Sequence, residues 1–336
     1  MLRSMFAGVS GLRNHQVKMD VIGNNIANVN TQGYKTSRTT FAEMFNQTLA
    51  GATTPTTNLG GKNPKQIGLG VSTSSIDVVH TTGGMMSTDR MLDLAIQGEG
   101  FITLYNGSAE EFDGLGDTFY TRAGNLYLDE SGYLVGPNGM FVLGVMFLDI
   151  GEFEDGYWDP TNTAGTDAAN DFANDPFANY IDEDAEGGRL KGYDPTSGLT
   201  RHDVMSEVDS YGPLKFPLNF LNISIDTTGV ISGISPAGDL VAIGMIPLAC
   251  VTNPAGLNRI SDNLYKQSNN SGVPVYYQPG QGGVAGDVRA GALEMSNVDL
   301  SKEFTDMIIT QRGFQANSRI ITVSDTMLEE LINLKR

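Results

Sequence analysis

The 336 residues contain few groups whose types and spacing could do chemistry. Asp182, Glu183, Asp184 and Glu186 offer hard oxygen donors of the kind calcium takes. Calcium loops alternate their ligands around a tight turn, and that spacing is missing here. With 39 Asp and Glu in the chain, carboxylate pairs arise by chance, so a pair suited to glycoside hydrolysis carries no information. His15, His80 and His202 lie far apart, and no Ser–His–acid or Cys–His arrangement can be built around them. Gly68-Leu69-Gly70 and Gly98-Glu99-Gly100 lack the strand–loop–helix setting of a phosphate cradle. The single cysteine, Cys250, has no partner for an internal disulfide and reads as a small buried hydrophobe beside Leu248 and Val251. No catalytic residue, metal ligand or cofactor is expected.

The stronger patterns lie in the elements at the two ends. Leu2, Met5, Phe6, Val9, Leu12, Met19, Ile22 and Ile26 recur at steps of three and four, which predicts an N-terminal helix with one apolar stripe. Thr31-Gln32-Gly33 reads as its stop, with Gly33 free to take left-handed backbone. His15 is assigned to the polar side. From Asn297 to Arg336 a second helix is expected, with Leu300, Phe304, Met307, Ile308, Phe314, Ile321, Leu328 and Leu331 apolar and Ser296 or Asn297 as N-cap. Leu300, Met307, Phe314, Ile321 and Leu328 are seven apart, the spacing of a coiled-coil seam. Periodicity alone leaves open an ordinary two-helix cap on a globular core.

Net charge is −18, which disfavours nucleic acid and anionic membrane surfaces as partners. The acidity crowds into 146–210, where the only Lys or Arg are Arg189, Lys191 and Arg201, whereas residues 1–38 are net basic. No secretory signal is visible and no apolar run is long enough for a membrane span, so composition alone points to the cytoplasm.

Residues 36–70, rich in Gly, Thr and Pro toward their middle, predict an extended connector. Phe41, Met44, Phe45 and Leu49 allow a short helix or turn within it. From Val71 to 145, and again from Asn222 to Val251, alternating apolar residues and Gly, Asn and Asp turns predict short strands. Gly256 to Met295 leads back toward the C-terminal helix through turn-rich pieces at Gln278–Gly283 and Val284–Asp287. The fold class expected is mainly β with terminal α-helices. The helices (1–35 and 297–336) form a coiled-coil-like inner domain, the two flanks (71–145 and 217–296) form a discontinuous antiparallel β domain, and 146–216 is an inserted acidic outer domain.

The chain resembles the bacterial flagellar axial proteins, the family of rod and hook subunits. The resemblance rests on Ser10-Gly11-Leu12, on the run Asn24 to Lys35, and on Leu94 to Phe101. It continues in Tyr120 to Asn125, in Asn253 to Leu257, and in Asn297 to Leu300 through Gln311 to Asn317. Within these, Asn24, Asn25, Ala27, Asn28, Thr31, Gly33, Tyr34, Lys35, Gln311, Arg312, Gln315 and Asn317 carry the family motif. The resemblance implies a non-enzymatic subunit that polymerises with itself into a helical tube. It would leave the cell through a dedicated export channel without a cleaved signal, overriding the cytoplasmic reading. It also implies rod, cap, hook–filament junction and export-apparatus proteins as partners, with the 36–70 stretch ordered between neighbouring subunits. An inserted outer domain distinguishes hook subunits from the shorter distal-rod subunit, so hook is the first reading. The distal rod is the alternative, and a surface adhesin a more remote one.

Overall fold

A computed structural model describes residues 2–55, 60–107, 117–147, 153–154, 157–158, 211–236, 238, 240–280 and 284–334. The chain divides into two compact units. The first comprises residues 1–30, 35–79 and 298–336; the second comprises 31–34 and 80–297.

The first unit holds both terminal helices, α1 (Leu2–Ala27) and α2 (Leu300–Asn333), packed antiparallel. Asp299, not Ser296 or Asn297, caps α2: its carboxylate accepts from the backbone N–H of Ser301 (2.9 Å) and Lys302 (3.3 Å). Between the helices in sequence lies a two-stranded ribbon. β1 (Ser37–Glu43) pairs with β4 (Val71–Val78), and β2 (Asn46–Ala50) pairs with β3 (Lys65–Gly68), both antiparallel. The Met44 and Leu69 amides donate to Gly70 and Phe45 carbonyls, joining the pairs into one hairpin. The helix or turn expected around Phe41 to Leu49 is therefore strand. Phe41, Met44, Phe45 and Leu49 keep helical spacing, but pairing with Val71–Val78 and Lys65–Gly68 overrides it, and the Thr and Phe of Ser37–Glu43 suit an extended segment. Strands β2 and β3 are exposed throughout and have no core of their own.

The second unit is antiparallel β, and its main sheet draws strands from both flanks of the chain. In spatial order these are Leu221–Ile225, Val230–Ile234, Leu240–Met245, Phe141–Met146, Ile102–Asn106, Asp117–Thr121, Leu264–Lys266 and Asn258–Arg259. Along Phe141–Met146 successive side chains face opposite ways, so Val142 and Met146 enter one core with Leu94, Leu104 and Leu248. Leu143 and Val145 enter another with Phe101, Tyr120 and Tyr265. A strand covered on both faces carries an unbroken apolar run, which is why Phe141 to Met146 shows no polar alternation.

Strands at 264–266, 275–277, 287–290 and 292–294 occupy the stretch that the sequence reads only as leading back to the C-terminal helix. Asp287–Ala290 pairs with Leu94–Gln97, and Ala292–Glu294 with Met85–Ser87. Each is short, and its partner lies about two hundred residues away, beyond the reach of local pattern. The insertion expected at 146–216 lies mostly outside the described residues, as do Asp182, Glu183, Asp184, Glu186 and His202. Within it, Phe153–Glu154 pairs with Tyr157–Trp158.

Candidate assembly interface

The apolar stripe on α2 divides in two. Met307, Phe314, Ile321 and Leu328 are half-buried and follow the expected seven-residue line. Beside that line runs a second one, also seven apart: Glu303, Thr310, Asn317 and Ser324. Glu303, Thr310 and Ser324 are buried and Asn317 is half-buried. These two lines together occupy the positions of a heptad seam, one row apolar and one polar. The polar row escaped sequence reading because the search for a seam followed apolar side chains. Its offset of three from Leu300, Met307, Phe314 and Ile321 is the signal that would have found it.

Opposite this seam α1 presents small residues. A Cβ at Gly11 would stand 2.6 Å from Asn317 Nδ2, and one at Gly313 would stand 2.7 Å from His15 Nε2. The helices thus approach closely where side chains are missing. His15 lies on this inner side, against Gly313 and edge-on to Phe41 with ring centroids 6.1 Å apart, not on the polar side expected. Burial lowers its pKa below the ordinary 6.5, and nearby Lys18 lowers it further. Ile22 is buried at 3% exposure, while Met5, Leu12, Met19 and Ile26 are half-buried. Leu2 begins the helix, its side chain outside the described set.

The rest of the apolar stripe has no cover from its own unit. Phe6 is 70% exposed, and Val9, Leu300, Phe304, Ile308 and Leu331 are exposed as well. Ile309, Ile320, Val323, Met327, Ile332 and Leu334, absent from the sequence-derived set, are also exposed, Leu334 at 81%. Apolar surface of this length along one helix marks an interaction face, since isolated soluble proteins rarely leave such patches wet.

The motif residues do separate jobs. Asn25 is buried at the end of α1. Its Oδ1 accepts from the Ser37 N–H (3.0 Å), and its Nδ2 donates to the Ser37 carbonyl (2.9 Å) and Glu303 Oε1 (3.3 Å). Asn28 Nδ2 donates to Asn24 Oδ1 (2.7 Å) and to the Asn24 carbonyl, closing the last turn; Asn24 and Ala27 are exposed. Lys35 is buried and Thr31 half-buried. On α2, Gln311, Arg312 and Gln315 are exposed, with Arg312 Nη1 donating to Gln315 Oε1 (3.4 Å).

Gly33 and Tyr34 belong to the β unit. Gly33 holds φ +66°, and a Cβ there would meet the Arg122 and Ala123 backbone at under 3 Å, so only glycine fits. Its N–H donates to the Glu294 carbonyl at 2.8 Å. Tyr34 is buried beneath the Arg259 guanidinium, 4.3 Å from the ring centroid. Glu294 also makes a buried ion pair with Arg122 (3.5 Å) and accepts from the Gly83 N–H (2.9 Å). Arg122 further donates to the Gly98 carbonyl at 2.8 Å. Cys250 lies in the strand Leu248–Cys250, where burial pushes its thiol up to about 12.

A paired terminal helix unit with an uncovered apolar face is the kind of element by which a structural protein assembles. Three family models match. Residues 5–35 match "Flagella basal body rod protein", 95–233 match "Flagellar hook protein FlgE/F/G D1 domain", and 289–334 match "Flagellar basal body rod FlgEFG protein C-terminal". The chain is 41% identical over 337 residues to the flagellar basal-body rod protein FlgG of Bacillus subtilis, covering all of both chains. It is 32% identical over 450 residues to the flagellar hook protein FlgE of Borreliella burgdorferi, and 29% over 341 residues to that organism's FlgG, again covering both chains fully. The chain belongs to the flagellar rod and hook protein family, whose members are structural subunits and not enzymes.

Proposed function

We propose that this chain is an axial subunit of the flagellum that polymerises with copies of itself, and that it is of the rod type. The observation that carries polymerisation is the set of uncovered apolar side chains toward both ends of α2, Phe304, Ile308 and Ile309 near its start and Ile320, Val323, Met327 and Ile332 near its end. Burying such side chains is worth about 1.5–3 kcal/mol each, and a helical tube of repeated copies supplies the same complementary face at every step. Head-to-tail contacts that do not close give an open filament, the shape needed to carry torque. Copies would meet through Phe6 and Val9 of one helix pair and the outer face of α2 of the next. The ribbon at 36–70, exposed through β2 and β3, would lie ordered between neighbours. Export without a cleaved signal, and contact with the rod, cap, junction and export proteins, belong to the same proposal.

The rod reading is supported by the 41% identity to a basal-body rod protein over an alignment of 337 residues, hardly longer than the chain itself. Alignment to the Borreliella hook protein takes 450 residues, so that protein carries length this chain does not have. One observation favours the hook instead: within Borreliella burgdorferi the hook protein is the more similar of the two, at 32% against 29%. Electron microscopy of basal bodies from cells lacking the gene separates them. A rod subunit leaves a truncated rod, and a hook subunit leaves a complete rod with no hook. Purified chain that forms no polymer under any assembly condition would overturn the proposal as a whole.

A further inference from the structure

We infer that Asn25 and Glu303 set the register in which the two terminal helices pair. The apolar row alone leaves the register underdetermined. It repeats every seven residues, so sliding α2 by one heptad, about 10 Å, again sets apolar side chains against α1. Two of the buried polar residues cannot correct such a slip, because each is satisfied within its own helix. The Thr310 hydroxyl donates to the Asp306 carbonyl (2.7 Å) and the Ser324 hydroxyl to the Ile320 carbonyl (2.7 Å). Those bonds travel with α2 wherever it goes. Glu303 differs, since its carboxylate bonds across the seam to Asn25.

Asn25 is a fixed point. Its amide pairs with both backbone groups of Ser37, the first residue of β1, as a neighbouring strand would. Asn14 repeats the device eleven residues earlier on α1. Its Nδ2 donates to the Val71 carbonyl (2.7 Å), and its Oδ1 accepts from the Thr73 hydroxyl (2.7 Å). The ribbon is therefore tied to α1 at Asn14 and Asn25, and Asn25 in turn meets α2 through Glu303.

The competing register is specific. One heptad away from Asn25, α1 carries Lys18, which now pairs with Asp306 at 3.8 Å. A slip that brought Glu303 to Lys18 would give it a cation in a partly exposed setting, where ion pairs contribute little. Remaining beside Asn25 keeps the carboxylate hydrogen-bonded in a nearly dry site. Besides Asn25, the groups facing Glu303 are Lys18 from α1 and Lys302 and Asp306 from its own helix. Burial outweighs the Asn25 bond and the two lysines, leaving its pKa above the ordinary 4.5.

The test is disulfide trapping in the full-length monomer with Cys250→Ala. It reads intrachain register and is independent of polymerisation, so failure of the proposed function and failure of this inference are distinguishable. A Cβ at Gly8 lies 3.5 Å from Ile321 Cγ1, so the pair Gly8→Cys/Ile321→Cys reports the native register. Gly8→Cys/Phe314→Cys reports the slipped one. With Asn25 present, only the first pair should oxidise. Asn25→Leu should lower the ratio of native to slipped product about tenfold or more, the effect of losing a hydrogen bond to a charged group. Glu303→Gln, which keeps a bond to Asn25, should hold the native pattern. The double variant Asn25→Leu/Glu303→Leu, with no carboxylate left stranded, should give both products. The inference is overturned if Asn25→Leu oxidises as the parent does or loses both products. It also fails if the double variant gives the native product alone, or if the parent never forms the native bond.

Discussion

The two units of this chain bury opposite things. The β unit encloses large apolar side chains in two cores, with Asp93, Thr103, Thr121 and the ion pair of Arg122 and Glu294 buried among them. The helical unit buries Glu303, Thr310, Ser324, Asn14 and Asn25 and leaves Phe6, Ile308, Ile332 and Leu334 in water. A fold that keeps polar groups inside and apolar groups outside has not finished folding on its own. The β unit meets the requirement of a stable core alone, whereas the helical unit meets it only when something further covers α2.

That contrast can be broken in order of effect. Ile308→Asp with Phe304→Asp should abolish polymer formation, seen by sedimentation and electron microscopy, while the urea unfolding of the β unit stays within about 0.5 kcal/mol of the parent. A polymer that still formed would remove the outer face of α2 as the contact. Phe314→Asp or Leu12→Asp should block assembly too, by splitting the helix pair, and should also lower helicity at 222 nm, which the outer-face variant does not.

Next in size is Arg122→Ala. It strands a buried carboxylate among three chain segments and should cost about 3–5 kcal/mol in the β unit by urea titration. Ile96→Ala, in the same unit, should cost about 2–5 kcal/mol. Asp299→Ala should cost about 1 kcal/mol and fray only the first turn of α2, visible as faster amide exchange there.

The smallest effect is on pH. The His15 pKa is lowered in the folded chain, so the unfolded chain binds the extra proton more readily; this contribution is present above pH 6.5 and is lost as pH falls below it. The Glu303 pKa is raised, so its effect runs the other way: stability gained below pH 4.5 is lost as pH rises through the folded value. Thermal melts at 222 nm should therefore sharpen their acid dependence in Glu303→Gln and lose their response near pH 6 in His15→Gln. A melt insensitive to pH in all three proteins would place both groups in water.

Much of this was legible along the chain. Helical periodicity marked both terminal helices because an amphipathic helix writes its buried face every three or four residues. Period-two runs marked the strands from Leu94 to Val145 and from Leu221 to Cys250, and Gly33 marked the end of the first helical segment. Residues 24–35 and 297–317 also carried the family. What stayed hidden depends on partners distant in sequence. The strands at 287–294 are defined by pairing with residues 85–97, and the ribbon strand at Phe41 by pairing with Thr73. His15 faces inward because Gly313 leaves room for an imidazole.

Local chemistry therefore decides which segments coil, extend or turn, since propensity and periodicity act over a few residues. Contact across the fold decides which side of each element is covered. It puts Met307 and Phe314 against α1 and leaves Ile308 and Ile332 outside, although all four are equally apolar. Hydrophobicity has no direction; only the packing of a particular neighbour supplies one.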